Sequence, residues 1–227
     1  MITTPAFPGI GFERLGPDLD PDAKALWAQR LSMFMHYEVR SFYEDLGRNF
    51  IDTDPPPGTP GDEQWRIEAM SGYNTPQEDN TYTEYVVAYE HDEDLQISEG
   101  PFAISGIVVV QKPEGRCTRW RHRPSYLAEI DVAEHMRGTG LAPFLLSLTT
   151  ETHPQDPEIH LGLYRHNIQS RKIHEGKLGF TPYKPPRFRP GEVYEGEWEM
   201  LHTSGKKFLQ RLPRLLPPNS SVPTTWR

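Results

Sequence analysis

One stretch constrains the chain more than any other. A β-branched, apolar-rich run from Tyr126 to Val132 leads into Arg137-Gly138-Thr139-Gly140-Leu141-Ala142, after which Leu141, Phe144, Leu145 and Leu148 recur at helical spacing. The hydrophobic period changes from two to 3.6 across a few residues, which joins a strand to a helix through a tight turn. Two glycines let the backbone curl there, and the first turn of the helix leaves several N–H groups without intrahelical acceptors. Those donors and the positive end of the helix dipole make a cradle for phosphate. Pro143 is tolerated in that turn because its missing N–H would have lain among the unpaired ones. The loop lacks the Gly-Lys-Ser/Thr of a Walker A motif and is not a GxGxxG dinucleotide fingerprint.

Elsewhere, Asp20-Pro21 reads as an N-cap with proline at the first helical position, and Ala23, Trp27, Leu31 and Phe34 follow at helical spacing. This predicts a helix over 21–46 with a stop at Gly47. Four prolines and two glycines make 52–62 a loop. The stretches 81–91 and 101–111, rich in Val, Ile, Thr and Tyr, are expected to pair as strands. Residues 126–132 and 159–164 read as further strands, 167–177 as a helix ended by Gly179, and the aromatic stretches after Phe180 add one or two strands. The tail from Pro213 is expected to be a loose extension. Strands alternating with helices in the second half imply an α/β or α+β sheet.

A chain of 227 residues fits one decorated domain. Its single Cys117 cannot form an intrachain disulfide or a CxxC zinc site, and the nine histidines show no HExxH or comparable spacing, so no metal is expected. No run approaches the roughly 18 apolar residues of a membrane span, and the N-terminus lacks a basic segment before an apolar one. A soluble, cytoplasmic protein is the resulting expectation. Cys117 lies within the basic run 116–123, which holds Arg116, Arg119, Trp120, Arg121 and Arg123. That run reads as an exposed hairpin tip with an inert thiol, against the alternative of a grip on RNA or phosphate.

The net charge of -8 is unevenly distributed. Residues 1–66 carry 11 acids and 6 bases, and 67–111 carry 9 acids with no Lys or Arg. Residues 112–189 hold 13 bases against 8 acids, 190–204 hold 4 acids and no base, and 205–227 hold 5 bases and no acid. Two surfaces facing partners of opposite charge are implied.

Taken in order, Ile130-Asp131-Val132, Arg137-x-x-Gly140-x-Ala142, Asn167, Ser170 and Leu178-Gly179-Phe180 resemble the GCN5-related N-acetyltransferase (GNAT) family, whose acetyl-CoA signature is Gln/Arg-x-x-Gly-x-Gly/Ala. The resemblance covers about 120–183 and is compatible with 8–112. It implies a central mixed, mostly antiparallel sheet flanked by helices, in a domain over 1–204 with the acceptor side in 1–111 and the acyl-CoA side in 112–183. A basic, proline-rich extension over 205–227 would follow. It also implies that backbone amides of Arg137, Gly138, Thr139, Gly140, Leu141 and Ala142 hold the CoA pyrophosphate. The backbone at Ile130 and Val132 would pair with the pantetheine arm, and Asn167 would contact it. Arg171 and Lys172, on the following helix, would be placed to reach the phosphates, against the alternative of plain surface charges.

In that family a tyrosine seven residues after the asparagine serves as general acid. Here the count from Asn167 gives His174, and the count back from Gly179-Phe180 gives Glu175, because one extra residue lies between the landmarks. His174, Glu175 or neither fills the role. An attacking amine must lose a proton, and Glu129 and Asp131, two apart on one strand, point to one face. Glu129 is the first candidate, as base or as ammonium-binding group, and Asp131 the second.

These readings converge on transfer of an acyl group from acetyl-CoA or another acyl-CoA to a primary amine by direct attack, without a metal. The acidic first half points to a cationic acceptor, either a small-molecule amine or an amine on a macromolecule, with the protein a monomer or homodimer. Membrane is excluded as a partner, and nucleic acid is disfavoured by the charge distribution. The alternatives are a non-catalytic acyl-CoA-binding module, acyl-CoA decarboxylation on the same fold, and action on RNA.

Overall fold

The computed structural model describes residues 2–40, 55–71, 81–90, 103–113, 125–149, 158–183, 198–218 and 220. The predicted helix end at Gly47, the basic run 116–123 with Cys117, and most of the last residues lie outside them.

Strands β1 (Ile2–Thr4), β2 (Phe7–Leu15), β3 (Thr81–Glu90), β4 (Ile104–Pro113), β5 (Ser125–Val132), β6 (Glu158–Tyr164), β7 (Thr181–Pro182) and β8 (Trp198–Ser204) form one sheet in the order β1-β2-β3-β4-β5-β6-β8-β7. All pairings are antiparallel except β5 with β6. The mixed, mostly antiparallel sheet flanked by helices is therefore the expected one.

Helices α1 (Pro21–Phe34) and α2 (Pro60–Met70) cover one face, where Trp27, Leu31, Phe34 and Met70 pack with Tyr85, Val87, Ile107 and Val109. Helix α3 (Leu141–Thr149) covers the other, where Phe144 lies 5.0 Å from Phe12 and 5.2 Å from Phe7 between ring centroids. Buried aromatic pairs of this kind contribute about 0.5–1.5 kcal/mol each beyond their area.

Capping chemistry sets the helix starts. Asp20 accepts from the Ala23 N–H at 2.9 Å with Pro21 at the first position, as the sequence implies. Thr59 repeats the device for α2, accepting from the Asp62 N–H at 3.3 Å ahead of Pro60. The loop read over 52–62 is corrected at this point, since proline at the first helical position starts a helix and does not break one. The α1 run also passes into a π-helix at Met35–Val39.

The tail is corrected as well. Helix α5 (Gly205–Arg211), capped by the Ser204 hydroxyl on the Lys207 N–H at 3.2 Å, and a 3-10 turn (Leu212–Leu215) follow β8 without a break. Phe208 and Leu212 are buried in the α3 core, and Leu215 and Leu216 pack against it. Residues four and three apart on a helical path share a face, so this basic segment carries an apolar stripe that must be covered.

The acids of the first half are partly internal. Glu84, buried, meets Arg14 at 2.7 Å, and Asp62, buried, meets Arg66 at 3.2 Å. Those carboxylates serve the interior and not an acceptor surface.

Candidate functional site

The site begins at an irregularity in the sheet. Val109 faces Glu129 while Val110 faces Leu127, so Ala128 is an extra residue on β5, a bulge that bends the strand. Pairing of β5 with β6 stops at the same place, at Leu127 with Leu161. From Glu129 to Val132 the strand pairs with β4 on one side, and no described strand takes its other edge. Backbone N–H and C=O groups on that edge require partners and suit an extended ligand rich in amides.

The edge leads into the loop at the head of α3. The chain makes a 3-10 turn at Glu134–Met136, Arg137 Nε donates to the Val132 carbonyl at 3.2 Å, and the Thr139 hydroxyl donates to the Met136 carbonyl at 2.7 Å. The Arg137 and Thr139 side chains brace the loop, and their own N–H groups close its turns on the Glu134 carbonyl at 3.1 Å and the Met136 carbonyl at 3.4 Å, so the amides directed outward are those of Gly138, Gly140, Leu141 and Ala142. Gly138 and Gly140 stand at φ 81° and 88°, left-handed values that glycine alone adopts without strain. Such turns aim successive N–H groups into a shared concavity, and the first-turn amides of Leu141 and Ala142 extend it. A side chain at Gly138 would meet nothing within 4 Å, so the concavity is open there. At Gly140 a β-carbon would lie 2.8 Å from Pro217 Cγ, so the C-terminal segment backs the cradle. Sequence reasoning missed this wall. The only signal for it was the apolar spacing of Phe208, Leu212 and Leu215.

Alternation along β5 sends Ile130 and Val132 toward α3 and sends Glu129 and Asp131 toward α1 and α2, so both predicted carboxylates share one face. Glu129 is half-buried and Asp131 buried. Tyr85, Val109 and Glu129 form a row across three strands under α2, which places Arg66 above them. Arg66 is 2% exposed and its Nε donates to Asp62 Oδ2 at 3.2 Å. Burial works against its charge, and the carboxylates of Glu129 and Asp62 act the other way. Burial, above all, pushes the Tyr85 phenol up and keeps it neutral. Arg66 is a fixed positive charge in the field of Glu129, and the sequence did not single it out.

The extra residue between Asn167 and Gly179 is taken up by a change of helix type. Helix α4 (Ile168–Arg171) continues as a π-helix (Lys172–Leu178), and the N–H groups of Gly179 and Phe180 both reach the His174 carbonyl. His174 is turned inward, buried, with its ring against Phe180 at 5.5 Å. His174 Nδ1 lies 2.9 Å from the Ser170 carbonyl and 3.0 Å from the Ser170 hydroxyl, so with its proton on Nδ1 it donates to the carbonyl. Burial lowers its pKa to about 4, opposed by that hydrogen bond. His174 thus packs as part of the core beside Phe180. Glu175 pairs with Arg171 at 2.7 Å, and Arg171 also meets Glu199 at 2.8 Å, so this arginine is engaged by two carboxylates. Lys172 is exposed. Asn167 caps α4, its Oδ1 accepting from the Ser170 N–H at 3.0 Å.

The buried His174 makes stability depend on pH. With a folded pKa of about 4 against an unfolded value near 6.5, only the unfolded chain binds the proton between them. The neutral form's contribution is complete above about pH 6.5 and is lost as pH falls toward 4, by about 3 kcal/mol. Urea unfolding should therefore show the wild type losing about 3 kcal/mol more than His174→Leu between pH 7 and 4. Parallel losses would show that the imidazole is not held neutral.

No family model and no curated protein matches the chain. Solved structures do. An acetyltransferase from Thermus thermophilus superposes with a TM-score of 0.52 at 11% identity, covering 85% of this chain and 96% of that one. An acetyltransferase from Streptococcus agalactiae gives 0.52 at 10% identity, covering 87% and 99%. The shared feature is the fold.

Proposed function

We propose that this chain, which has the acetyltransferase (GNAT) fold, is an acyl-CoA-dependent N-acyltransferase acting on a primary amine. The observation that carries the reading is the continuity of the open β5 edge with the left-handed Gly138 and Gly140 cradle. An extended amide-containing arm ending in a pyrophosphate fits that pairing, and the space in front of Gly138 leaves room for the phosphates. A free acyl-CoA supplies a thioester, whose acyl carbon is open to attack by a neutral amine.

The residues divide the work by position. The amides of Gly138, Gly140, Leu141 and Ala142 hold the pyrophosphate, those of Arg137 and Thr139 being engaged in the loop's own turns, and the backbone of Ile130 and Val132 aligns the arm and donates to the carbonyl oxygen as charge develops on it. Glu129 faces the acceptor side, where it accepts the ammonium proton as the nitrogen bonds to the acyl carbon and the carbon–sulfur bond breaks. Asp131 is the second carboxylate on that face. A thiolate is a stable leaving group near its ordinary pKa of about 8.5, so solvent can protonate it without His174. The acceptor is proposed to be a cationic amine, on the ground that residues 67–111 carry 9 acids and no Lys or Arg.

Incubation of the protein with acetyl-CoA and a panel of polyamines, aminoglycoside-like amines, lysine peptides and neutral amines, with thiol release followed, tests this. Cationic amines should release CoA, and Glu129→Gln should lower kcat/KM about a hundredfold while leaving acetyl-CoA binding intact. Absence of both CoA release and acetyl-CoA-dependent thermal stabilisation would overturn the assignment. Binding without turnover would favour a non-catalytic acyl-CoA module.

A further inference from the structure

We propose that Glu158, His160 and His202 form a binding site for a divalent transition-metal ion, zinc foremost. Strand pairing creates the cluster. His160 of β6 lies directly opposite His202 of β8, and Glu158 sits two residues before His160 on the same face. One ligand atom from each of the three converges within 4.8 Å. His160 Nε2 is 3.0 Å from Glu158 Oε2, and His202 Nδ1 is 4.0 Å from Glu158 Oε1. Ligands about 2.0–2.1 Å from a tetrahedral zinc lie about 3.3 Å apart, so small rotations of the exposed Glu158 and half-exposed His202 would close the set.

An independent feature supports a metal over a hydrogen-bonded cluster alone. His160 Nδ1 is 2.5 Å from the Tyr183 hydroxyl, and the Tyr183 ring also lies against His202, with centroids 4.9 Å apart. A partner on the far nitrogen fixes the imidazole orientation and leaves Nε2 directed at the ligand position, as the outer contacts of metal-bound histidines do. Two imidazoles and one carboxylate suit zinc, copper or nickel and not magnesium or calcium, and three protein ligands leave a position for water.

The location separates this site from the acyl-CoA cradle. Leu161, Leu163 and Leu201 face the α3 core, so Glu158, His160 and His202 project from the opposite side of the sheet. They also lie at the end where β5 and β6 are paired, away from the open edge. A bound ion would clamp β6 to β8. The expectation of no metal came from spacing along the chain, and these ligands are brought together across it.

The full chain, stripped with chelator and dialysed, is titrated with Zn²⁺ by calorimetry and with Co²⁺ by visible absorbance. One ion per chain is expected, with a rise in Tm on adding Zn²⁺ and no competition from Mg²⁺ or Ca²⁺. His160→Gln and His202→Gln should each weaken binding at least tenfold, and Tyr183→Phe about tenfold. Glu158→Gln, at an exposed position, gives a loss that misfolding cannot explain, with circular dichroism as the check. Absence of Zn²⁺ binding, or binding that persists in both histidine variants, would overturn the proposal. Acetyl-CoA binding is expected to be the same with and without Zn²⁺, so failure here leaves the acyltransferase reading standing.

Discussion

Gly140→Glu should abolish the thermal stabilisation that acetyl-CoA confers. Three effects act in the same direction at this residue. The backbone is left-handed at φ 88°, where a side chain costs about 1–2 kcal/mol. The new β-carbon would lie 2.8 Å from Pro217 Cγ, so either the loop or the C-terminal segment must shift. The carboxylate would then stand among amides that favour an anion, competing with the pyrophosphate for them. Gly138→Ala is the informative control, since it has a similar φ of 81° but meets nothing within 4 Å. It should retain part of the stabilisation, at a cost of about 1–2 kcal/mol from strain alone. Acetyl-CoA-dependent Tm shifts and calorimetry on both variants decide the matter. An unaltered shift in Gly140→Glu would remove the cradle from the binding site.

Asp62→Ala should be the most damaging single change to stability on the α2 side. It removes the 3.2 Å partner of an arginine that is 2% exposed, leaving a buried cation without its carboxylate, which costs about 3–5 kcal/mol. The same substitution takes an acid from the first turn of α2, where it complements the helix dipole. Replacing both partners with apolar side chains, as in Asp62→Leu with Arg66→Met, should recover most of the loss, because neither charge of the pair remains to be buried alone. The double variant would still lack the positive charge beside Glu129, and a fall in kcat/KM at restored stability would assign Arg66 a positioning role. Urea unfolding provides the test: a loss under about 1 kcal/mol for Asp62→Ala would mean that water reaches Arg66.

Much of the architecture was legible because its signals are local. Asp20-Pro21, the alternating strands and the glycine loop each state their geometry within a few residues. Helix α2 escaped because Thr59-Pro60 sits in a proline cluster, where composition masked a cap of the same type. What the sequence could not supply was pairing across the sheet. The bulge at Ala128, the row from Tyr85 to Glu129 beneath Arg66, and the His160–His202 pair depend on register, which long-range contacts fix. The same holds for His174. Its position on a helix was readable, but its inward direction depends on how one added residue is absorbed.

That absorption is a matter of rotation about the helix axis. One residue inserted into a regular α-helix turns everything beyond it by about 100°, which would carry Leu178 and Phe180 out of the core. The wider turns of Lys172–Leu178 confine the insertion to a few residues, and the Gly179 end keeps its seat. The register of Leu178 and Phe180 in the core is thereby kept, while the side chain at the seventh place after Asn167 is turned inward.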